Sequence, residues 1–410
     1  MRIAIVFPRF SVLGGGERVV EALALLYPQA DFFVLFSVPA MVPPGLRDRT
    51  IHTTFLNQIP WINKLAPKLT FLYPLAVESL DLSAYDLIIS VPGPAVFGVN
   101  VPQHALHISY CFSPERTWWD RYGNQKQVLQ RSLTRKLIYT ARANYLRTWE
   151  FGAAQRVDEF ATISRYISRR VQKYFRRNST VIYPPVDTHL GVRSESVEDY
   201  FLSVGRLVAG KRVDLLIEAC NLLGRRLLVV GTGPEEGRLK ALAGRTIEFL
   251  GYVPDRDLPA LYARCRAFLF AADEDFGIVP VEAQACGRPV IAYGYGGSLE
   301  TVRVGDPEGR PDTGIFFAEW TVESVVDGIL RFEARENDFI PEEAQQYAKQ
   351  FDTSVFMKSM GQFVDSAVRK ELTNHGRKFS FVLPEYATAR GELGSDDSIS
   401  VFRDRRRHTV

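Results

Sequence analysis

Short apolar runs alternate with stretches of helical period along most of the chain. In the first half the runs Arg2–Phe7, Phe32–Phe36, Leu87–Val91, Leu106–Tyr110 and Phe160–Ile163 are almost unbroken in their hydrophobicity. Strands of a parallel sheet read this way when helices cover both faces, and a helix is expected from about Gly16 to Tyr27. The second half repeats the pattern with runs at Tyr200–Val204, Leu227–Val230, Thr246–Leu250, Ala267–Phe270 and Val290–Ala292. Between them, helices are expected near Val213–Leu223, Glu235–Ala243, Asp257–Cys265 and Val279–Cys286. The alternation predicts an α/β fold, twice over. Between the halves lies Tyr183-Pro184-Pro185-Val186-Asp187, where two prolines fix extended backbone and remove donors, as a hinge requires. The expected organisation is therefore a first domain over residues 1–185 and a second over 186–350. A helix over 351–372 follows, packing back on the first domain, and then a loose tail over 373–410. The end of that tail, with Ser395-Asp396-Asp397-Ser398 and Arg405-Arg406-Arg407, is too polar to bury a face.

Composition narrows the class without changing this picture. A chain of 410 residues with 46% hydrophobic and 24% charged positions has room for two or three ordinary domains and is not disordered or collagenous. The formal charge of +3 gives no global field for nucleic acid, so charge has to be read locally. Cys111, Cys220, Cys265 and Cys286 form no C-x-x-C pair, which suggests neither a disulfide framework nor a zinc site and makes a reducing compartment the expectation. Met1–Phe7 is interrupted by Pro8 and Arg9 and reads as a buried strand rather than a signal peptide. The longest apolar neighbourhood, Ala22 to Val42, is broken by Pro28, Gln29, Asp31 and Pro39, short of the roughly 20 residues that span a bilayer. A cytoplasmic location is expected.

Three loops carry candidate chemistry. Gly14-Gly15-Gly16-Glu17 stands between the first strand and the first helix, where glycines permit close approach and the helix N-terminus favours an anion such as phosphate. A tight strand-to-helix turn explains the same residues equally well, since the pattern matches neither standard phosphate-loop signature. Gly205-Arg206-Leu207-Val208-Ala209-Gly210-Lys211-Arg212 follows the first strand of the second half and places Arg206 and Lys211 where open α/β sheets bind ligands. The fork of an arginine and the point charge of a lysine would together neutralise a diphosphate without a metal. In the third loop Glu274 follows the strand Ala267–Phe270, and Glu282 falls near the start of a helix that Pro280 helps to open. Two carboxylates thus approach one pocket, although a helix N-terminus favours Glu282 with or without a ligand.

The Glu274-x7-Glu282 spacing, the Gly-Arg-Leu…Lys-Arg loop, the early Gly-Gly-Gly and Val181-Ile182-Tyr183-Pro184-Pro185-Val186-Asp187 together resemble glycosyltransferase family 4, over roughly residues 1 to 370. The resemblance implies GT-B architecture, with two Rossmann-like domains facing a cleft, a nucleotide-sugar donor held mainly by the second and an acceptor by the first. It gives Arg206 and Lys211 the diphosphate, Glu282 the ribose, and Glu274 the place beside the donor sugar. Backbone N–H groups of Gly277, Ile278 and Val279 would face the sugar and phosphate, and Gly15 and Gly16 the diphosphate from across the cleft. Transfer in such enzymes retains anomeric configuration and needs no metal or other cofactor. The second domain looks most like the family's mannosyltransferases, so GDP-mannose is the first donor expectation, with UDP- and TDP-sugars behind it. The expected acceptor is a lipid-linked or cell-envelope glycan. A non-catalytic GT-B protein that binds nucleotide or glycan is the alternative.

The sequence departs from the family at one position. Where family members often carry Tyr-x-His-x-Pro, this chain has Tyr110-Cys111-Phe112-Ser113-Pro114, and Phe112 cannot form a hydrogen bond. Either the donor sugar lacks a polar C6 substituent, or another residue takes the role. His107 is one candidate, though its period-2 neighbours exclude Phe112 and a core position suits it. A basic, aromatic stretch runs from Arg116 to Trp149, with Trp118 and Trp119 at its start and Asp120 its only acid, and Arg165 to Arg177 adds a second run. Arg116, Trp118 and Trp119 are assigned to an acceptor or membrane side. An anionic membrane surface at the inner face of the cell and a solvated helix face with inward aromatic rings both fit the pattern. No nucleic-acid module accompanies it.

Overall fold

The computed structural model describes residues 1–11, 14–91, 96–120, 132–189, 194 and 196–375. Two compact units divide it: Met1–Tyr183 with residues 357–375, and Pro184–Phe356. The expected tail from residue 376 on lies outside the described residues, as do Arg121, Tyr122 and Arg131 of the basic stretch.

The first unit is built on a parallel sheet of β1 (Ile3–Phe10), β2 (Asp31–Ser37), β3 (Ile51–Thr53), β4 (Leu87–Ser90), β5 (Leu106–Cys111), β6 (Glu159–Thr162) and β7 (Thr180–Val181). Its strand order is β3-β2-β1-β4-β5-β6-β7. β1 runs on past Pro8 because its pairing with β4 ends at Val6 and Ser90, so beyond that point it is an edge on that side, where proline is tolerated. The second unit carries β8 (Phe201–Val204), β9 (Leu227–Val230), β10 (Ile247–Gly251), β11 (Phe268–Phe270), β12 (Val290–Tyr293) and β13 (Gly314–Phe317) in the order β10-β9-β8-β11-β12-β13, also parallel. Helices bury both faces of this sheet: Leu216, Ile217, Val325 and Ile329 pack on one side, and Tyr262, Ala283 and Cys286 on the other.

In both units the chain leaves the middle of the sheet in opposite directions, so the order reverses between β1 and β4 and again between β8 and β11. At such a reversal the loops after the two central strands diverge and open a crevice beyond their carboxyl ends. The last described helix, Thr353–His375, extends three residues past the expected Leu372 and counts with the first unit from Met357 on. There Lys370 ion-pairs with Glu159 of β6.

Candidate functional site

In the second unit the two loops singled out from the sequence flank the sheet reversal. Gly205–Arg212 leaves β8 and Ala271–Gly277 leaves its neighbour β11, so the topology brings Arg206, Lys211 and Glu274 to one end of the sheet. Lys211 Nζ ion-pairs with Glu274 Oε1, both side chains being about a quarter exposed. Burial, and behind it the positive charge of Arg206, push the Lys211 ammonium down to about 8. The Arg206 side chain is exposed and makes no hydrogen bond or ion pair among the described residues. Arg206 lies near enough for its charge to act on Lys211, and two cations so placed suit an anionic ligand. Arg212 turns away from it, reaching Asp214 at 3.2 Å and lying over the Trp320 ring.

The loops are held by backbone packing that only glycine permits. The Leu207 N–H donates to Thr232 O and the Glu235 N–H to Leu207 O, while a Cβ on Gly233 would lie under 3.0 Å from the Leu207 backbone. On the other side the Gly297 N–H donates to Glu274 O at 2.8 Å, and a Cβ on Gly297 would meet the backbone of Phe276 at similarly forbidden range. Gly277, with φ at 96°, then caps the helix Ile278–Ala285. The first N–H groups of a helix have no acceptor within it, so Ile278 and Val279 present theirs at the mouth of the site. Pro280, third in this helix, has none to present. Glu282 lies one turn further along and accepts a hydrogen bond from Tyr262 Oη at 3.1 Å. Among the described residues no three His, Cys, Asp or Glu side chains gather as metal ligands.

In the first unit, Gly14 precedes the helix Gly15–Leu26 with extended backbone and no side-chain cap. A Cβ on Gly16 would lie 3.2 Å from the Phe112 ring, which also meets Tyr110 edge-on, so Phe112 fills the space above this turn. Glu17 folds over the same turn. Burial raises its carboxyl to about 7, against hydrogen bonds from its own backbone N–H and that of Gly14. His107 is fully buried in β5, bonds Ser90 of β4 through Nε2 at 2.9 Å, and is driven down to about 3 by burial. It is a core histidine, as its period along β5 indicates.

Trp118 and Trp119, assigned from the sequence to an acceptor or membrane side, have the inward rings of the other reading of the stretch. Both indoles turn inward and donate to one buried carboxylate oxygen of Glu150, at 2.7 Å and 2.6 Å, while the Glu115 N–H donates to the other. An indole N–H needs an acceptor once its ring is buried, and this carboxylate satisfies two of them. Arg170, counted in the second basic run, is also buried; it bonds Ser113, Pro114 O and Asp120 and so staples the segment that leaves β5. Arg116 reaches Tyr166 Oη at 3.3 Å. Sequence reasoning missed Glu150, whose signal is that it is the first acid after Asp120 and lies four residues from both Leu146 and Ala154 on one helix face.

Burial raises the Glu150 carboxyl to about 7, and Glu17 shares the direction. An acid whose folded pKa exceeds its unfolded value stabilises the fold at low pH and loses that contribution as pH rises through the folded value. Stability is therefore expected to fall between about pH 4.5 and pH 7, with Glu150 contributing up to about 3 kcal/mol. Thermal melting of Glu150→Gln should show a shallower decline over this range; an unchanged slope would assign the pH dependence elsewhere.

The comparisons with known proteins agree with this architecture. Residues 192–351 match the family model described as glycosyl transferases, group 1. The chain is 28% identical over 150 residues to an uncharacterised glycosyltransferase of Methanocaldococcus jannaschii, covering 35% of this chain and 42% of that protein. It is 30% identical over 206 residues to O-antigen chain mannosyltransferase B of Escherichia coli, covering 46% and 51%. Matches to the first curated relatives thus span between a third and a half of their lengths. Among solved structures, Anabaena Alr3699/HepE in complex with UDP superposes with a TM-score of 0.63 at 19% identity, over 89% of this chain and all of that one. Sucrose-phosphate synthase of Thermosynechococcus elongatus gives 0.66 at 18%, over 90% of this chain and all of that one.

Two parallel, doubly wound sheets and these neighbours define the class: the chain has the two-domain α/β fold of the GT-B glycosyltransferases. Its residues 192–351 are similar to the glycosyl transferases of group 1.

Proposed function

We propose that this chain transfers a sugar from a nucleoside diphosphate sugar to a hydroxyl acceptor, with retention of anomeric configuration and without a metal ion. The observation that carries the proposal is the convergence of Arg206, Lys211 and Glu274 at the sheet reversal, between β8 and β11. In this reading Arg206 and Lys211 hold the diphosphate, Lys211 being charged below about pH 8. Gly277, Ile278 and Val279 offer N–H groups to the sugar and phosphate, and Glu282 holds the ribose. As the bond from the anomeric carbon to the diphosphate oxygen breaks, its electron pair leaves with the diphosphate, where fixed cations are most effective. The acceptor oxygen attacks on the same face and its proton passes to the departing phosphate oxygen. Glu274, released from Lys211 as the diphosphate takes that cation, accepts hydrogen bonds from the sugar hydroxyls.

GDP-mannose is the first donor to test, because relatives include a GDP-mannose-dependent phosphatidylinositol monomannoside mannosyltransferase of Mycolicibacterium smegmatis, 32% identical over 177 residues. A lipid-linked or cell-envelope glycan is the acceptor to test beside it, since relatives are named for an O-antigen chain and a phosphatidylinositol monomannoside. The test is incubation with GDP-mannose and UDP- and TDP-sugars in the presence of a chelator, with lipid-linked and glycan acceptors, and assignment of the product anomer by NMR. Retained configuration is expected; an inverted product, or a requirement for divalent metal, contradicts the proposal.

A further inference from the structure

The basic stretch of the first unit does present an apolar surface, though not through its tryptophans. The helix Leu133–Ala154 buries Ala143, Leu146, Glu150 and Ala153 on one side. On the other, Leu133, Leu137, Ala141 and Tyr145 form an i, i+4 row, all exposed, with Ile138 beside it. Leu133, Leu137 and Ile138 are 72%, 59% and 69% exposed, the reverse of what a solvated helix face requires. Arg142 ties this helix to a second segment, donating to Pro67 O at 3.2 Å and Thr70 Oγ1 at 2.6 Å. That segment exposes Trp61, Phe71 and Leu75, and Trp61, at 77%, holds left-handed backbone with φ at 54°. A bulky residue in that conformation is strained, and here the strain presents the indole to solvent.

Charge identifies the occupant. Neither Arg49–Val77 nor Ser132–Trp149 contains a single acid, and Lys64, Lys68, Arg135 and Lys136 are all exposed around the apolar residues. Apolar side chains that enter the acyl boundary, cations at headgroup level and a tryptophan between them are what an anionic bilayer surface takes up. We propose that Trp61, Phe71, Leu75, Leu133, Leu137 and Ile138 form a docking surface for anionic phospholipid. The inference goes beyond the transfer chemistry and needs no part of the nucleotide site, so Arg206→Ala should dock as the wild type does.

Flotation of the full chain with vesicles of phosphatidylglycerol and phosphatidylcholine in equal parts, against phosphatidylcholine alone, tests it. Binding is expected to the anionic vesicles, weaker as salt is raised, and reduced at least tenfold in the double variant Leu137→Glu/Ile138→Glu. Both positions are exposed, so the variant should keep its circular dichroism spectrum and melting temperature. Trp61 emission should shift to the blue on docking, a shift lost in Trp61→Phe; the other four tryptophans are buried or half-buried. Absence of binding to anionic vesicles overturns the proposal, as does binding that the double variant leaves unchanged. A dimer in vesicle-free solution that the double variant dissociates would assign the surface to a second copy and overturn it as well.

Discussion

Lys211→Ala is expected to lower kcat/KM for sugar transfer by about a hundred- to a thousand-fold, the effect of removing one preorganised group that meets developing charge. The side chain is held against Glu274 with Arg206 close by, so its loss leaves Arg206 alone to balance a departing diphosphate. Glu274→Gln separates the two partners' roles. It removes the carboxylate that competes for Lys211, so affinity for a free nucleoside diphosphate should hold or rise while transfer falls by about a hundredfold. Steady-state kinetics beside nucleotide titrations of both variants checks this. Equal losses of nucleotide affinity in the two would show that Glu274 supports the diphosphate rather than the sugar.

The second large effect is expected at a residue that carries no charge. Gly297 has φ of −68° and ψ of −24°, a conformation any residue adopts, so Gly297→Ala isolates the steric consequence of one methyl group. That methyl would fall under 3.0 Å from the Phe276 backbone and separate the Gly297 N–H from Glu274 O. The loop that carries Glu274 has to move, at a cost of about 1–3 kcal/mol for overpacking, and donor affinity should drop at least tenfold. Gly237→Ala, in a helix where a Cβ meets nothing within 4 Å, serves as the control and should leave donor affinity unchanged. Thermal melting and donor titration of the two variants decide it: a Gly297→Ala protein as stable and as tight-binding as the control would mean the loop is not fixed from this side.

These predictions divide along the line between what the sequence makes legible and what it does not. The central strands were readable because burial on both faces forces continuous apolar runs, as in Leu227–Val230 or Leu87–Ser90. β3 and β7 escaped because Ile51-His52-Thr53 and Thr180-Val181 are short, edge-lying and mostly polar, ordered by pairing with a neighbour rather than by their own side chains. β13 escaped because Gly314 opens it and a polar loop precedes it. Arg206, Lys211 and Glu274 were legible as residue types in loops after strands. Their convergence came only with the family resemblance, since in the chain itself it depends on β8 and β11, some sixty residues apart, lying side by side. The glycines at 233 and 297 gave no local signal, because their reason is the backbone of a distant loop.

The first unit shows how composition misleads when burial is unknown. A cationic stretch with paired tryptophans fits an interface belt as well as a helix face with inward rings, and a single buried acid, Glu150, holds both rings inward. The residues that do face outward, Leu133, Leu137 and Ile138, look in sequence like the core face of an ordinary amphipathic helix. Periodicity gives the faces of a helix but does not say which face the rest of the unit covers.

The most direct test of the central claim is calorimetric titration of GDP, UDP, TDP and ADP, with chelator present, into the wild type and Arg206→Ala. The Arg206 side chain is exposed and without a hydrogen bond or ion pair among the described residues, so its replacement should leave the fold intact while removing one of two cations from the diphosphate. Binding of one nucleotide in preference to the others, metal-free and lost or weakened at least tenfold in the variant, is the predicted result. Failure of all four to bind the wild type, or equal binding by wild type and variant, would contradict the assignment of the β8–β11 loops as the donor site.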